Sequence, residues 1–600
     1  MRRIASVLLA LLPSLALAQT HALPPLDEIL PPNIPWSGKS ESIGVPANDP
    51  WITPSEASGL ATSPSYDETV AWLRKLVAAA PQLRMVSLGK SPEGRDIWMV
   101  IASKERRFTP EALRASGKPT LLAQAGIHSG EIDGKDAGMM LLRDMTVRGT
   151  QKQLLDGANF LFVPIFSVDA HERSSRYSRI NQRGPEVSGW RTNARNLNLN
   201  RDYMKADTLE MRAMLGALTR WDPDLYLDIH VTDGQDYQYD ITFGFNGRAG
   251  WSPAIGAWLE TAFQPRLERD LRGWGHIPGP LVFGEGDLSG GIVSWMGSPR
   301  FSTGYGDARH VPTVLFENHS LKPYRQRVLG TWVALKSALE LVAEQKAPLR
   351  AAIAEDRARN VASVPLDWKV PEGDKTTIDF LAIESAKRIS PISGGVVIDW
   401  LGKPVTRTIA YPAATEVAKS VSRPRAYWIP PGWPEVIERL AAHGVTFERI
   451  AAPKTVEVEM YRFGEPKYDA EPFEGHVRVA APTTLERKRW TYPANSVRVP
   501  ADQPLGTIAV MLLEPSSEDS FFQWGFMLEP LSQAEYFEAY AMEPMARRML
   551  EQDPALAAEF TKKLETDREF RSNARARLHW FYEKTPYFDD RWRLEPIGRE

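Results

Sequence analysis

Two short stretches of the sequence carry the residue types that hold a catalytic zinc ion. In the first, AGIHSGE, His128 and Glu131 lie three residues apart, and Gly130 permits a tight turn between them. The second, LYLDIH, ends in His230. A catalytic zinc ion takes three protein ligands, and two histidines with one glutamate form a known set. The sequence therefore predicts one zinc ion bound by these three residues, with Asp228 or a backbone carbonyl orienting an imidazole.

The surrounding residues indicate which elements hold these ligands. Each histidine follows a short apolar run, at residues 120–125 and 225–229, that is typical of a buried strand. Such runs alternate with helical patterns between about residues 60 and 350, which is typical of an α/β domain with a mainly parallel sheet. Sites in these domains form at the carboxyl ends of strands. The HxxE pattern alone is common by chance, and an ordinary exposed turn is the alternative.

Further polar residues follow in chain order. Arg191 comes after a tryptophan, Asn200 and Arg201 are adjacent, and Glu317 ends an apolar run. Together with the two zinc-ligand stretches and an early LGKSPEGR segment, these residues resemble the M14 family of zinc carboxypeptidases. The resemblance covers roughly residues 60–350. It implies a three-layer α/β/α domain with a mixed, mainly parallel sheet.

The resemblance also implies a role for each polar residue. The three predicted zinc ligands match those of the family. Glu317 matches the general base, which takes a proton from the attacking water and later passes it to the leaving amine. Arg191 matches the residue that polarises the scissile carbonyl and holds the oxyanion. Asn200 and Arg201 match the pair that binds the terminal carboxylate of a peptide, a task that suits the two-pronged guanidinium group.

Several positions leave alternatives open. The family carries a mobile tyrosine at a set separation before the general base, but Trp295 lies in that neighbourhood here. Tyr305 is the nearest candidate for this substrate contact, and the alternative is that it only packs against the sheet. Arg195 lies close enough in sequence to Arg191 to be an alternative for the oxyanion role. Glu317 could instead form an ion pair with Lys322.

These roles predict zinc-dependent hydrolysis of a peptide bond, with release of a C-terminal residue from a peptide substrate. A second reading is a related amidase that acts on cell-wall peptides or acyl-amino acids. A third reading is an inactive peptide-binding protein. The presence of all three predicted zinc ligands and of Glu317 argues against it. The net charge of −3 gives no indication of a nucleic-acid partner. The sequence does not indicate an oligomeric state.

The remaining chain suggests further units. Residues 19–60 are rich in proline and predict an extended lead-in to the catalytic domain at 61–350. Residues 375–530 carry short strand-like runs, including 505–513, around one helix, and predict an accessory α+β domain. Residues 531–600 predict a helical region, with helix starts at Ser532, from a capping box, and at Asp553.

The first residues resemble a secretory signal. Arg2 and Arg3 precede an apolar run that leads to Ala16, Leu17 and Ala18, so we expect cleavage near Ala18. A short membrane anchor is the alternative, and no later apolar segment is long enough to predict a transmembrane helix. The chain has no cysteine, so a metal site must use histidine and carboxylate ligands. Together these features predict a secreted or periplasmic bacterial protein.

Overall fold

A computed structural model describes residues 24–600 of the chain. The predicted signal peptide and its cleavage site near Ala18 lie outside the described residues. Within residues 24–600, no helix combines the length and the apolar character that crossing a bilayer requires.

One large mixed sheet forms the centre of the first part of the chain. Its strands are β1 Leu83–Lys90, β2 Asp96–Ala102, β3 Thr120–Ala125, β4 Asn159–Val163, β5 Leu225–Val231, β6 Ile241–Gly244, β7 Pro278–Pro280 and β8 Thr313–Asn318. They are arranged in the order β1-β2-β4-β3-β5-β8-β6-β7. The central four, β4, β3, β5 and β8, run parallel, while β2 and β6 join them antiparallel. The expected mixed, mainly parallel sheet is therefore confirmed.

Helices cover both faces of this sheet. The helices of this part of the chain are α1 Leu26–Ile29, α2 Pro54–Ala57, α3 Tyr66–Ala79, α4 Pro110–Ala115, α5 Asp133–Met145, α6 Leu154–Gly157, α7 Val168–Glu172, α8 Leu209–Trp221, α9 Pro253–Trp258, α10 Gln264–Gly273, α11 Ser302–Ala308, α12 Tyr324–Glu344 and α13 Lys346–Ala358. A π-helical turn at Leu259–Phe263 joins α9 to α10, and 3-10 turns form at Lys39–Ile43 and Leu199–Arg201.

Alternating residues of the central strands β3, β4 and β5 enter two separate cores. In β4, Leu161 and Val163 pack into one hydrophobic cluster, while Phe160 and Phe162 pack into the other. Because both faces are covered, the central strands are apolar at nearly every position. This two-sided burial explains why the sequence shows continuous apolar runs there.

The second part of the chain is built mainly from antiparallel strands. They are β9 Ser363–Lys369, β10 Thr377–Ile389, β11 Val396–Ala410, β12 Glu416–Ser422, β13 Ala426–Ile429, β14 Glu448–Arg449, β15 Lys454–Phe463, β16 Lys467–Tyr468, β17 Val479–Ala480, β18 Thr483–Tyr492, β19 Val497–Pro500 and β20 Leu594–Arg599. Six of them form one sheet in the order β14-β19-β13-β20-β15-β18. The helices here are α14 Pro434–His443, α15 Gly506–Leu513, α16 Ala539–Gln552, α17 Pro554–Thr566, α18 Arg568–Ser572 and α19 Ala574–Tyr582, with a 3-10 turn at Glu529–Leu531.

Three expectations for this second part are wrong. The strand expected at 505–513 is the helix α15, whose residues are all buried, so its apolar run has no helical period to detect. The capping box at Ser532 starts no helix, and α16 begins only at Ala539. The region 531–600 is not helical throughout, because β20 pairs with β13 and β15 of the six-stranded sheet.

The expected boundary at residue 350 also falls inside an element. Residue 350 lies in α13, which continues to Ala358. Asp356 of this helix accepts hydrogen bonds from the backbone N–H groups of Ala254 and Ile255, at 3.2 and 2.8 Å, at the start of α9. The helix is therefore bonded to the first part of the chain, beyond the expected boundary.

Candidate active site

The candidate site lies where three parallel strands end. His128 and Glu131 lie in the turn between β3 and α5, while His230 and Glu317 occupy the last-but-one positions of β5 and β8. In the sheet register, His230 lies directly opposite Glu317. Because neighbouring parallel strands end at one edge, residues that are nearly 190 positions apart in sequence meet here.

The three predicted ligands form one buried group. One ligand atom from each of His128, Glu131 and His230 lies within 4.8 Å of the others. The Nδ1 atom of His128 is 3.1 Å from the Glu131 carboxylate, and the Nδ1 atom of His230 is 2.9 Å from it. Two imidazole nitrogens and a carboxylate that converge in this way fit a zinc ion.

The opposite nitrogen of each ring is fixed by a hydrogen-bond acceptor. His128 Nε2 donates to Asn198 Oδ1 at 2.8 Å, and His230 Nε2 donates to Asp228 at 2.9 Å. These acceptors assign the proton to Nε2, which leaves the Nδ1 lone pair of each ring free for a metal. The expectation for Asp228 agrees with this geometry, whereas the role of Asn198 escaped the sequence analysis.

Two arginines lie beside the carboxylate of Glu131. Arg191 Nη1 lies 3.2 Å from Glu131, and Arg179 Nη1 lies 3.0 Å from it. Burial alone would raise the pKa of Glu131, but the charges of His128 and Arg179 hold it well below its usual range. Arg179 was missed by sequence analysis, because it lies on a loop without a motif. Arg195 does not line the cavity, so the structure favours Arg191 as the arginine near the ligands.

Glu317 faces the same space as the ligands. Burial raises the pKa of its carboxyl to about 8, while the charge of His230 opposes the rise. Its Oε2 atom is buried and, within residues 24–600, has no hydrogen-bond partner. The hydroxyl of Tyr237 is equally buried and unpartnered among these residues, and it lines the same cavity. Lys322 has no ion pair with Glu317 within 4 Å in the described chain.

Asn200 and Arg201 lie on the 3-10 turn beside the ligands. Asn200 Oδ1 accepts a hydrogen bond from the N–H of Ser302 at 3.3 Å, and Arg201 lies 4.3 Å above the ring of Phe301. Burial, with the charge of Arg191, lowers the pKa of Arg201 to about 10. The guanidinium therefore stays charged at neutral pH. Within residues 24–600, its one hydrogen-bond acceptor is the backbone oxygen of Asn200, at 2.8 Å.

These groups line a cavity of about 390 Å³. Its remaining wall combines apolar and aromatic side chains with polar ones. The former include Leu281, Phe283, Trp295, Phe301 and Leu315, and the latter are Thr232, Asp233, Gln235 and Thr242. The ring of Trp295 lies 5.0 Å from that of Phe283 and 4.8 Å from that of Phe301. Zinc ligands, a carboxylate and a guanidinium thus border one space that is large enough for a side chain and a terminal carboxylate.

Tyr305 does not reach this cavity. It lies in α11, fully buried, and its hydroxyl is 2.9 Å from His443 Nδ1. This placement contradicts the expected substrate contact and agrees with the packing alternative. The reason is that α11 turns this side chain towards α14, a helix whose packing against α11 local sequence does not predict.

Comparisons with known proteins bear on the same residues. Residues 69–234 match the family model described as zinc carboxypeptidase, of peptidase family M14. The matched range includes the three ligands, Arg191, Asn200 and Arg201, whereas Glu317 lies beyond it.

The relatives extend over more of the chain. Carboxypeptidase 2 of Trichophyton tonsurans is 23% identical over 502 residues, which cover 80% of this chain and 87% of the relative. Carboxypeptidase 2 of Trichophyton rubrum is 24% identical over 487 residues, which cover 78% and 85%. Carboxypeptidase A of Helicoverpa armigera, a solved structure, is 18% identical with a TM-score of 0.35 and covers 48% of this chain and 74% of that one.

Proposed function

We propose that this chain, a zinc metallopeptidase that carries a carboxypeptidase domain of family M14, releases the C-terminal residue of peptide substrates. The observation that carries the proposal is the common cavity. Arg201, the candidate for gripping a terminal carboxylate, lines the same space as the zinc ligands and Glu317. A peptide held by its carboxylate would present its last peptide bond to the ion.

Each polar residue has a task in this reaction. When bound by His128, Glu131 and His230, zinc supplies a Lewis acid that polarises a carbonyl and lowers the pKa of water. Glu317 takes the proton of the attacking water and delivers it to the leaving amine. Arg191, beside the ligands, donates hydrogen bonds to the oxygen on which negative charge develops.

Asn200 and Arg201 bind the terminal carboxylate in this proposal. A charged guanidinium that is mostly withdrawn from water favours a carboxylate partner, because two parallel N–H groups can meet both oxygens. Apolar and aromatic side chains around them would receive the side chain of the terminal residue. The protein is proposed to act outside the cytoplasm, in a periplasm or after secretion, on the evidence of its signal-like first residues.

The direction of attack can be tested with pairs of peptides that differ only in a C-terminal amide. A charge-assisted hydrogen bond contributes roughly 1.5–3 kcal/mol, so kcat/KM should be about 10- to 150-fold higher for the free acids. Arg201→Ala should reduce this ratio while zinc content stays unchanged. Arg220→Ala, which removes an exposed arginine on α8 outside the cavity, is the matched control. Equal cleavage of acids and amides would contradict the proposal and favour an amidase with another substrate.

A further inference from the structure

A tight turn of the second part of the chain reaches the active-site segment. Phe473 and His476 exchange backbone hydrogen bonds of 2.8 and 3.1 Å across a two-residue turn. The turn residues are Glu474 and Gly475, with φ values of +49° and +82°. A left-handed conformation is ordinary for glycine but unfavourable for glutamate, and such strain persists only where the surroundings hold it. Something other than turn formation therefore explains a glutamate at this position.

The side chain of Glu474 makes a specific contact with the catalytic domain. Its Oε2 atom accepts a hydrogen bond of 2.7 Å from the backbone N–H of Asn198, 276 residues away in sequence. His476 fixes the same turn by a 2.7 Å contact between its Nε2 atom and Asp207. The turn thus contacts both ends of the segment 198–207, at Asn198 and at Asp207. This segment contains Asn200 and Arg201.

The side chain of Asn198 makes two further hydrogen bonds within the site. Its Oδ1 atom accepts from Nε2 of the ligand His128 at 2.8 Å and from the backbone N–H of Asn200 at 3.0 Å. One side chain therefore sets the orientation of a zinc ligand and the start of the turn that carries Arg201. A backbone shift at Asn198 would disturb both.

Glu474 is linked to the segment that carries Arg201 through the same residue. Asn198 gives its backbone N–H to Glu474, and its side-chain Oδ1 atom accepts from the N–H of Asn200, the residue before Arg201. The contact of Glu474 thus affects both sides of the cavity, the metal side and the carboxylate side.

We propose that Glu474 is a positioning residue of the active site, which acts through Asn198 on the zinc ligand His128 and on the 3-10 turn that carries Arg201. The second part of the chain would then complete the site rather than only cover it. The metal half of this inference depends only on zinc binding, and the Arg201 half rests on the proposed function.

The test compares Glu474→Ala, Glu474→Gln and Glu471→Ala in the full mature chain. Glu471 lies on the same loop and is exposed, so its substitution is the matched control. Zinc affinity is measured by competition with a chelator, and kcat and KM are measured separately with a free C-terminal peptide. Loss of a group that orients a metal ligand typically costs about 10- to 100-fold in affinity or activity. We expect a zinc dissociation constant that is higher by this factor in Glu474→Ala and unchanged in Glu471→Ala.

Glu474→Gln tests whether the hydrogen bond to Asn198 carries the effect. Its amide oxygen can still accept from the backbone N–H of Asn198, so most of the zinc affinity and of kcat/KM should return. If the side chain had a merely structural role, Glu474→Ala would lower the stability of the fold without a selective change in zinc affinity. Wild-type zinc affinity and kcat/KM in Glu474→Ala would overturn the inference. A wild-type chain that binds zinc but shows no preference for free carboxylates would instead contradict the proposed function.

Discussion

The active-site residues owe their properties to the atoms that surround them. Each ligand imidazole has one nitrogen fixed by an acceptor, Asn198 or Asp228, and the other directed towards Glu131. Such outer contacts fix the tautomer and the ring orientation before a metal arrives. Glu317, by contrast, keeps a buried oxygen without a partner in the described chain, and a proton acceptor needs such a free oxygen.

Replacing Glu317 by glutamine should separate metal binding from turnover. The amide preserves the shape of the side chain but cannot accept the proton, so kcat should fall by at least about 10²-fold. Zinc content should stay near one ion per chain, because Glu317 is not among the three ligands. The measurements are steady-state kinetics and metal analysis of the purified variant.

A histidine substitution gives the opposite outcome and serves as the comparison. His230→Ala removes one of three ligands and should abolish zinc binding as well as activity. His579→Ala, a half-exposed position on α19, should leave both unchanged. Normal zinc content in His230→Ala would contradict the ligand assignment, and normal turnover in Glu317→Gln would place the base elsewhere.

At the scale of elements, the site depends on how closely α5 approaches the sheet. This helix follows directly after the HxxE turn and packs on the strands through glycines. A Cβ atom at Gly138 would lie 2.2 Å from a ring carbon of Phe162 in β4, and one at Gly134 would lie 2.9 Å from Ile229 in β5. Any larger residue must therefore push the helix, and the turn before it, away from the sheet.

Gly138→Ala should accordingly destabilise the protein, although alanine favours helices. Overpacking of a well-packed core typically costs about 1–3 kcal/mol, which exceeds the helix gain of roughly 0.5–1 kcal/mol. The measurement is the free energy of unfolding in urea. Gly216→Ala is the matched control, since α8 leaves open space within 4 Å of that Cβ, and it should be neutral or stabilising. Equal stability of both variants would mean that the contact with Phe162 relaxes easily.

At the scale of the whole molecule, the two parts of the chain share one hydrophobic core. Met211 and Leu215 of α8 belong to the same buried cluster as Val436 and Leu440 of α14. Polar contacts cross the same boundary, because Arg309 Nη1 donates to the backbone oxygen of His443 at 2.9 Å. The region after residue 360 is therefore part of the structural unit that holds the site.

A chain that ends at residue 359 should lose solubility. Removing the second part would expose the apolar face of α8, and large exposed apolar patches cause association. Expression of residues 24–359 beside residues 24–600, followed by size-exclusion chromatography, tests this expectation. A soluble monomeric fragment with full zinc affinity and kcat/KM would show that the catalytic domain is independent, and would also weaken the role of Glu474.

The sequence by itself determined the local features of this protein. The strand runs before His128, His230 and Glu317 were readable because two-sided burial requires continuous apolar residues, and the ligand types were readable because zinc chemistry restricts them. The mainly parallel sheet followed from the alternation of strands and helices. The resemblance to a family supplied the order and roles of the polar residues.

Only the tertiary structure decided which distant residues meet. Asn198, Arg179, Tyr237 and Glu474 carry no spacing that marks them, since their partners lie on other elements. Tyr305 had a suitable type and position, yet α11 directs it into the core against His443. The buried helix α15 looked like a strand because an element that is apolar on all sides shows no period. Patterns along the chain record the burial of each segment, whereas contacts between segments depend on packing that no local pattern encodes.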